Sequence, residues 1–551
     1  MKFLDRLETV WLGLFWGLVL AYCWFYAPIG VNETDGGFIT GLAWQVLEGK
    51  KLYQDLIYVR PPVPVLLRGF EMSFLPDSWQ IMAERWGFYL KVAIYSLLAA
   101  SMLGQGKQRW MLAALGFVVS AHCYPPMAWH TVDGIFFAVF AAYFWKKGVE
   151  SSSSYLFYAL SALALATALM CKQSFYPLVF VFGVVMFVQG FMAFAWYLLW
   201  LGLGLFGIVW SIGFPAGLWA MTSGSSTGGQ AFQHGVLDYF SITPELALPS
   251  ILLIIMAIYV KKQAANWSLA GLRSDALLTL IWIFWLLALP ISFVFVTLDR
   301  AEHTVPFAQA RALFWLAAFS LAYWRLSLHF PKYFQSYHSN FIKPRKISAA
   351  LVLLSISYCA SISWGYNLPI LFATPMLWVV MMVTTPIFSR FPWVHYAQMA
   401  YFCLLLFTFR IGHEFVYRDG KRSEMTRNMG EVFPKLSGIY SDSATYNRYD
   451  DLKRLAHKYG ENFSVLPAFP LANYLTNSTP PLPLDWVVKR EMAGQESLVW
   501  KALLEKRPIL LLEKNYLNKI ETDPELALTK AIFAEWTTLE ESPFFIVKSL
   551  R

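Results

Sequence analysis

Long apolar runs alternate with short polar breaks from residue 10 to residue 409, and then the chain changes character. A helix needs about 20 mostly apolar residues to cross the hydrocarbon of a bilayer. Runs near that length fall at 10–29, 85–104, 110–123, 129–145, 155–170, 175–188, 192–214, 249–260, 277–296, 307–324, 347–364, 369–388 and 392–409. The pattern predicts about 13 transmembrane helices. Lys2 and Arg6 precede the first run, which lacks a small-x-small cleavage site, so it reads as a retained helix rather than a removed signal peptide. Beyond Arg410 polar and apolar residues mix. Strands are predicted at 435–441, 463–466, 509–513 and 544–547, with helices at 449–459 and 496–505. Leu452, Leu455 and Ala456 share one face of the first of these helices, and Gly460 stops it. Alternating helices and strands point to a small α/β domain. The predicted fold is therefore an all-α polytopic membrane domain over 1–410 followed by a C-terminal α/β domain over 411–551.

Composition agrees with a lipid-solvated chain: of 551 residues 57% are hydrophobic and only 14% charged, against about 25% charged in a soluble domain. The net charge of +9 does not read as a nucleic-acid face, because Lys and Arg sit in short clusters between apolar runs. Counted from a cytoplasmic N-terminus, the inside loops receive Lys107, Arg109, Lys146, Lys147, Lys261, Lys262, Arg273, Arg390 and the basic run from Arg325 to Lys346. The facing loops are poor in Lys and Arg, apart from the long first one, and 215–249 has none. This positive-inside bias predicts a multi-pass inner (plasma) membrane protein. It places loop 30–84, loop 215–250 and the C-terminal domain on the exoplasmic (periplasmic) side. The five cysteines, Cys23, Cys123, Cys171, Cys359 and Cys403, lie in or beside apolar runs and read as small buried hydrophobes.

The first exoplasmic loop carries the densest candidate chemistry. It reads Asn32-Glu33-Thr34-Asp35-Gly36-Gly37-Phe38, then an amphipathic stretch to Gly49, then Tyr53-Gln54-Asp55 and Arg60-Pro61-Pro62. Charge beside a bilayer is costly unless it has a partner or a purpose. The order Asp35, Gly37, Phe38, Gly49, Tyr53, Asp55, Arg60, Pro61, Pro62 resembles the first loop of the GT-C glycosyltransferases, among them the lipid A aminoarabinose transferases and the protein O-mannosyltransferase-like enzymes. The resemblance is strongest over 31–190 and departs at one place: Gly36 holds the second acidic position, and Glu33 lies on the other side.

The resemblance implies transfer of a sugar from a polyprenyl-phosphate donor to an acceptor hydroxyl, with inversion, on a glycan, lipid or protein. Such chemistry needs a carboxylate to take the hydroxyl proton, which implicates Asp35, with Glu33 as a further acid; Asp133 joins the catalytic set by orienting a site cation or binding acceptor hydroxyls, its rival role being a helix N-cap. The rival role for Thr34 or Asp35 is a cap on the helix entering at Phe38. A cation must meet the departing phosphate, and the resemblance points to Arg60, Lys172 (in Thr167-Ala168-Leu169-Met170-Cys171-Lys172-Gln173), Arg300 and His303. For Arg60 the rival is snorkelling at the interface. Asp55, Tyr53 and His130 are acceptor or support residues, His130 and Asp133 lying three apart at the start of the fourth span. Segment 466–476 resembles an acceptor-facing surface of such transferases. No nucleotide cofactor is implied; a divalent cation (Mg or Mn) stays open. The chain has no P-loop, no zinc-spaced Cys/His set, no Gly-x-Ser-x-Gly elbow and no Trp-Trp-Asp signature of oligosaccharyltransferases. The alternative class is a polytopic transporter of a lipid or glycan intermediate, for which Lys91 and Arg311 inside apolar runs are the main features.

Overall fold

The computed structural model describes residues 2–104, 106–121, 126–224, 344–362, 394–412, 414–416 and 419–550, with isolated positions between them. Runs of apolar sequence become helices α1 (Lys2–Phe25), α4 (Asp77–Leu103), α5 (Lys107–Ala121), α6 (His130–Glu150), α7 (Ser154–Leu169), α8 (Leu178–Phe187) and α9 (Phe191–Ser211). Beyond α10 (Ala216–Gly224), α11 (Pro344–Ser361) and α12 (Val394–Gly412) answer to two of the late candidate spans. The candidates at 249–260, 277–296, 307–324 and 369–388 lie mainly outside the described residues. Among those described, Glu8–Phe25, Asp77–Leu103 and Phe191–Ser211 are long and apolar enough to cross a membrane by length and composition.

Helices pack here through small residues. Helices α6 and α7 pack on one another, and Ala138, Ala141, Ala142, Ala162 and Ala166 along them are fully buried. Ser161 Oγ donates to the Ala141 carbonyl at 2.8 Å. Without a hydrophobic drive between helices in lipid, close backbone approach and such bonds hold a bundle together. The outer faces keep Leu20, Trp24, Phe180, Phe187, Phe206 and Trp210 exposed, an apolar surface suited to acyl chains.

The loop after α1 is built of two further helices, α2 (Asp35–Leu47) and α3 (Val63–Phe74). Helix α2 answers to the predicted amphipathic stretch; α3 has no counterpart in the sequence reading. Among the described residues every strand lies late in the chain. Strands β1 (Arg427–Asn428) and β2 (Tyr440–Ser441) form a two-stranded antiparallel ribbon. Strands β3 (Phe463–Leu466), β4 (Ile509–Glu513), β5 (Thr537–Glu541) and β6 (Phe545–Ser549) form a sheet of order β3-β4-β6-β5, its β3–β4 pair parallel and the others antiparallel. Helices α13 (Ser443–Tyr459), α14 (Ala472–Thr476), α15 (Lys489–Met492), α16 (Glu496–Lys506) and α17 (Ala527–Glu535) accompany it. The strand expected over 435–441 shrinks to β2, because Pro434 opens a 3₁₀ turn and Gly438 takes φ 77° before Tyr440.

Candidate active site

Asp35 is the first residue of α2 and is buried. The helix thus starts earlier than Phe38, and Thr34 stands at the cap position without a side-chain cap bond. A carboxylate there meets the positive end of the helix dipole. The glycines after it explain how the C-terminal domain comes so close. A Cβ on Gly37 would sit 2.6 Å from Leu471 Cγ, and one on Gly41 2.5 Å from the Pro470 carbonyl oxygen. Segment 466–476 therefore lies directly on α2.

Arg60 reaches the site from the far end of the loop. Tyr53, itself at φ 69°, donates its hydroxyl to the Arg60 carbonyl at 2.5 Å. Gln173 Nε2 holds the neighbouring Val59 carbonyl at 2.9 Å, and the Ile57 amide donates to Pro483 at 2.9 Å. The guanidinium carbon stands 5.2 Å from the centroid of the Phe38 ring. Its Nη1 and Nη2 donate to the two oxygens of Glu491, on α15, at 2.7 and 2.8 Å. Burial lowers the Arg60 pKa, but the charge and hydrogen bonds of Glu491 outweigh it, so the group titrates above its ordinary range. Burial likewise opposes the Glu491 charge, and Arg60 overcomes it, leaving that carboxyl below its usual range. Both ends are ionised.

Asp35, His130 and Lys172 all lie within electrostatic reach of Arg60. Lys172, between α7 and α8, is buried and donates to Thr131 Oγ1 at 2.7 Å. Burial, with Arg60 adding to it, pushes the Lys172 ammonium well below its ordinary value. His130 opens α6 and stacks on Trp129 with ring centroids 4.4 Å apart. Asp133, one turn in, accepts from Lys91 Nζ at 2.6 Å, and Lys91 also lies 3.6 Å from Glu71. The charge inside α4 is thus paired. The buried Tyr58 hydroxyl has no hydrogen-bond partner among the described residues and lies within electrostatic reach of Arg60, Glu491 and Asp133.

The remaining expected residues sit elsewhere. Glu33 accepts from Arg448 Nη2 at 2.8 Å and from the Tyr449 hydroxyl at 3.4 Å, joining the loop to α13. Asp55 is exposed and accepts from the Lys51 amide at 2.8 Å, closing its own turn. Tyr53 acts on the Arg60 backbone, as above. Arg300, His303 and Arg311 lie outside the described residues. Among the described residues no group of three His, Cys, Asp or Glu side chains is placed to hold a metal ion. The sequence reading missed Glu491, Tyr58 and Arg448. Tyr58 sits inside the motif-bearing loop, whereas nothing local marks the other two.

No family model and no curated protein sequence matches the chain. Among solved structures it is similar to ArnT from Cupriavidus metallidurans in the apo state, at 14% identity and TM-score 0.41 over 98% of each chain. It is similar to the same protein bound to undecaprenyl phosphate, at 13% identity and TM-score 0.41, again over 98% of each chain. A further similarity is to the archaeal oligosaccharyltransferase AglB from Archaeoglobus fulgidus, in complex with an inhibitory peptide and a dolichol-phosphate. There the identity is 9% and the TM-score 0.47, over 96% of this chain and 72% of that one.

Proposed function

We propose that the chain is an integral-membrane glycosyltransferase that moves a sugar from a polyprenyl-phosphate donor to an acceptor hydroxyl at the exoplasmic face. The observation that carries this reading is the meeting of a buried acid and two basic side chains at one place: Asp35 at the head of α2, the Arg60 guanidinium within its electrostatic reach, and the buried Lys172 within reach of Arg60. The loop motif that ties Asp35 to Arg60 in sequence supports it as well. In the reaction the acceptor oxygen attacks the anomeric carbon and gives its proton to Asp35. The bond from that carbon to the phosphate oxygen breaks, and the polyprenyl phosphate leaves with the electron pair. Arg60 balances the negative charge that develops on it, and the arriving phosphate charge favours the Lys172 ammonium that burial and Arg60 disfavour in the empty site. A single displacement of this kind inverts the anomeric centre. Phe38 lies under the Arg60 guanidinium and limits water there, and it packs edge-to-face on Trp486 at 5.4 Å and tilted on Tyr58 at 5.9 Å.

The test is incubation of the purified chain with radiolabelled polyprenyl-phosphate sugars and a panel of lipid, glycan and peptide acceptors. Label should move covalently to one acceptor class. Asp35→Asn should still bind donor while turnover falls about 10²–10⁴-fold, the range of a lost general base. Passage of intact labelled donor into proteoliposomes, with no covalent transfer, would make the chain a transporter instead.

A further inference from the structure

The fork of Arg60 is already taken. Both end-on N–H groups bind the two oxygens of Glu491, a carboxylate supplied by α15 of the C-terminal domain 431 residues away in sequence. A phosphate would use the same two parallel bonds, since the guanidinium fork matches carboxylate and phosphate alike. The two anions therefore compete for one set of donors. We propose that Glu491 is an exchangeable counter-anion, a positioning residue that holds the Arg60 fork while the site is empty and cedes it to the phosphate of an incoming lipid. This rests on the reading of Arg60 as the phosphate ligand.

Three observations carry it. The pair is shielded, with side-chain exposures of 14% for Arg60 and 4% for Glu491. A lone cation in such a place is poorly tolerated, so some anion must stand opposite Arg60 at every stage. Next, the Tyr58 hydroxyl beside the pair is buried with no hydrogen-bond partner among the described residues. Glu491 spends both oxygens on Arg60, and a tetrahedral phosphate has an oxygen to spare for that hydroxyl. Last, Glu491 has a second cation within electrostatic reach: Arg490, exposed at the surface and stacked 5.6 Å over Trp486. The carboxylate can turn toward Arg490 without being left uncompensated.

The exchange also balances charge through a catalytic cycle. A polyprenyl-phosphate sugar is a phosphodiester with one negative charge, so replacing one carboxylate by it leaves the charge opposite Arg60 unchanged. The product is a phosphate monoester carrying more than one negative charge at neutral pH. Return of Glu491 to the fork then helps to expel it.

The experiment uses the full chain in detergent and farnesyl phosphate as the probe, with affinity read by calorimetry and by ligand-induced rise of the unfolding temperature, which reports only on folded protein. Glu491→Gln keeps the shape but removes the competing charge, and it should bind farnesyl phosphate about tenfold tighter or more. Glu491→Asp keeps the charge on a shorter arm and should fall between it and the wild type. Arg60→Ala should abolish the effect of Glu491→Gln. A residue that only supports the fold predicts weaker or unchanged binding in Glu491→Gln, and either result overturns the proposal, as does failure of all variants to bind. Sugar transfer by the wild type is scored separately. Transfer without tightening leaves the transferase reading standing and removes the exchange; tightening without transfer does the reverse.

Discussion

At the scale of the residue, Arg60 separates a ligand-binding cation from a membrane anchor. If it holds the donor phosphate, Arg60→Lys keeps the charge but loses the planar fork and should recover only part of the wild-type inhibition by polyprenyl phosphate. Arg60→Ala should lose nearly all of it. An anchor predicts full replacement by Lys, since an ammonium snorkels to the headgroups equally well. Inhibition curves for the three proteins at matched expression decide the matter, and identical curves would leave Arg60 as a boundary residue. Asp35 and Arg60 were legible in sequence because the loop crowds charge beside an apolar run, where charge demands an explanation. Glu491 and Arg448 were not. Their partners, Arg60 and Glu33, stand 431 and 415 residues away, and no local pattern announces a pairing at that distance. Asp55, by contrast, fitted the motif and was expected at the site, yet it closes a turn on Lys51 at the surface. Motif order says which residues are present, not which way they face.

At the scale of the element, the position of the site depends on how closely α2 lies against segment 466–476. Gly41 makes that approach with a backbone atom opposite: a Cβ there would stand 2.5 Å from the Pro470 carbonyl oxygen, which no rotamer change can relieve. Gly69 in α3 is a matched control, with nothing within 4 Å of its would-be Cβ. Ala is intrinsically better than Gly inside a helix by about 0.5–1 kcal/mol. Gly69→Ala should therefore stabilise slightly or change nothing. Gly41→Ala should cost about 1–3 kcal/mol from overpacking, and protease cleavage between the loop and the C-terminal domain should become faster. Equal behaviour of the two variants would mean that α2 does not bear on this segment. The helices of the apolar runs were readable because lipid burial imposes length and composition together. Helix α3 was missed because it spends only 12 residues between Pro62 and Leu75. Strand β5, Thr-Thr-Leu-Glu-Glu, was missed because it is a largely exposed edge with a bulge and no alternating apolar face.

At the scale of the whole molecule, the C-terminal domain is fastened to the loop after α1 by charge as well as by packing. Arg448 stands between Glu33 of the loop, at 2.8 Å, and Glu513 of β4, at 3.6 Å. Nearby, Asp419 accepts from the Val31 amide at 2.8 Å, and Tyr440 exchanges backbone bonds with Pro28 and Gly30 at 2.7 Å each. One arginine serves two carboxylates, and the buried one gives way. Burial, opposed by Arg448 and reinforced by Glu33, pushes the Glu513 carboxyl from 4.5 up to about 8. Burial does the same to Asp485, which accepts from Gln45 of α2 at 2.6 Å and is raised from 3.8 to about 7. The folded chain thus keeps protons on both groups that the unfolded chain releases at lower pH. Wherever the unfolded state binds fewer protons, stability falls as pH rises. The unfolding free energy of the full chain should accordingly fall between about pH 5 and pH 8, by at most about 1.4 kcal/mol per pH unit for each carboxyl, and the unfolding temperature should fall with it. Glu513→Gln should lessen the slope throughout and remove what remains of it from about pH 7 to pH 8, because an amide supplies the neutral form at every pH, while Asp485→Asn should lessen it only up to about pH 7. Sugar transfer should follow the same decline, since the domain that unfastens is the one that sets Arg60. A midpoint that climbs from pH 5 to pH 8, or a slope unchanged in Glu513→Gln, would show that Arg448 keeps Glu513 ionised and that the fastening is a fixed ion triad rather than a protonated one.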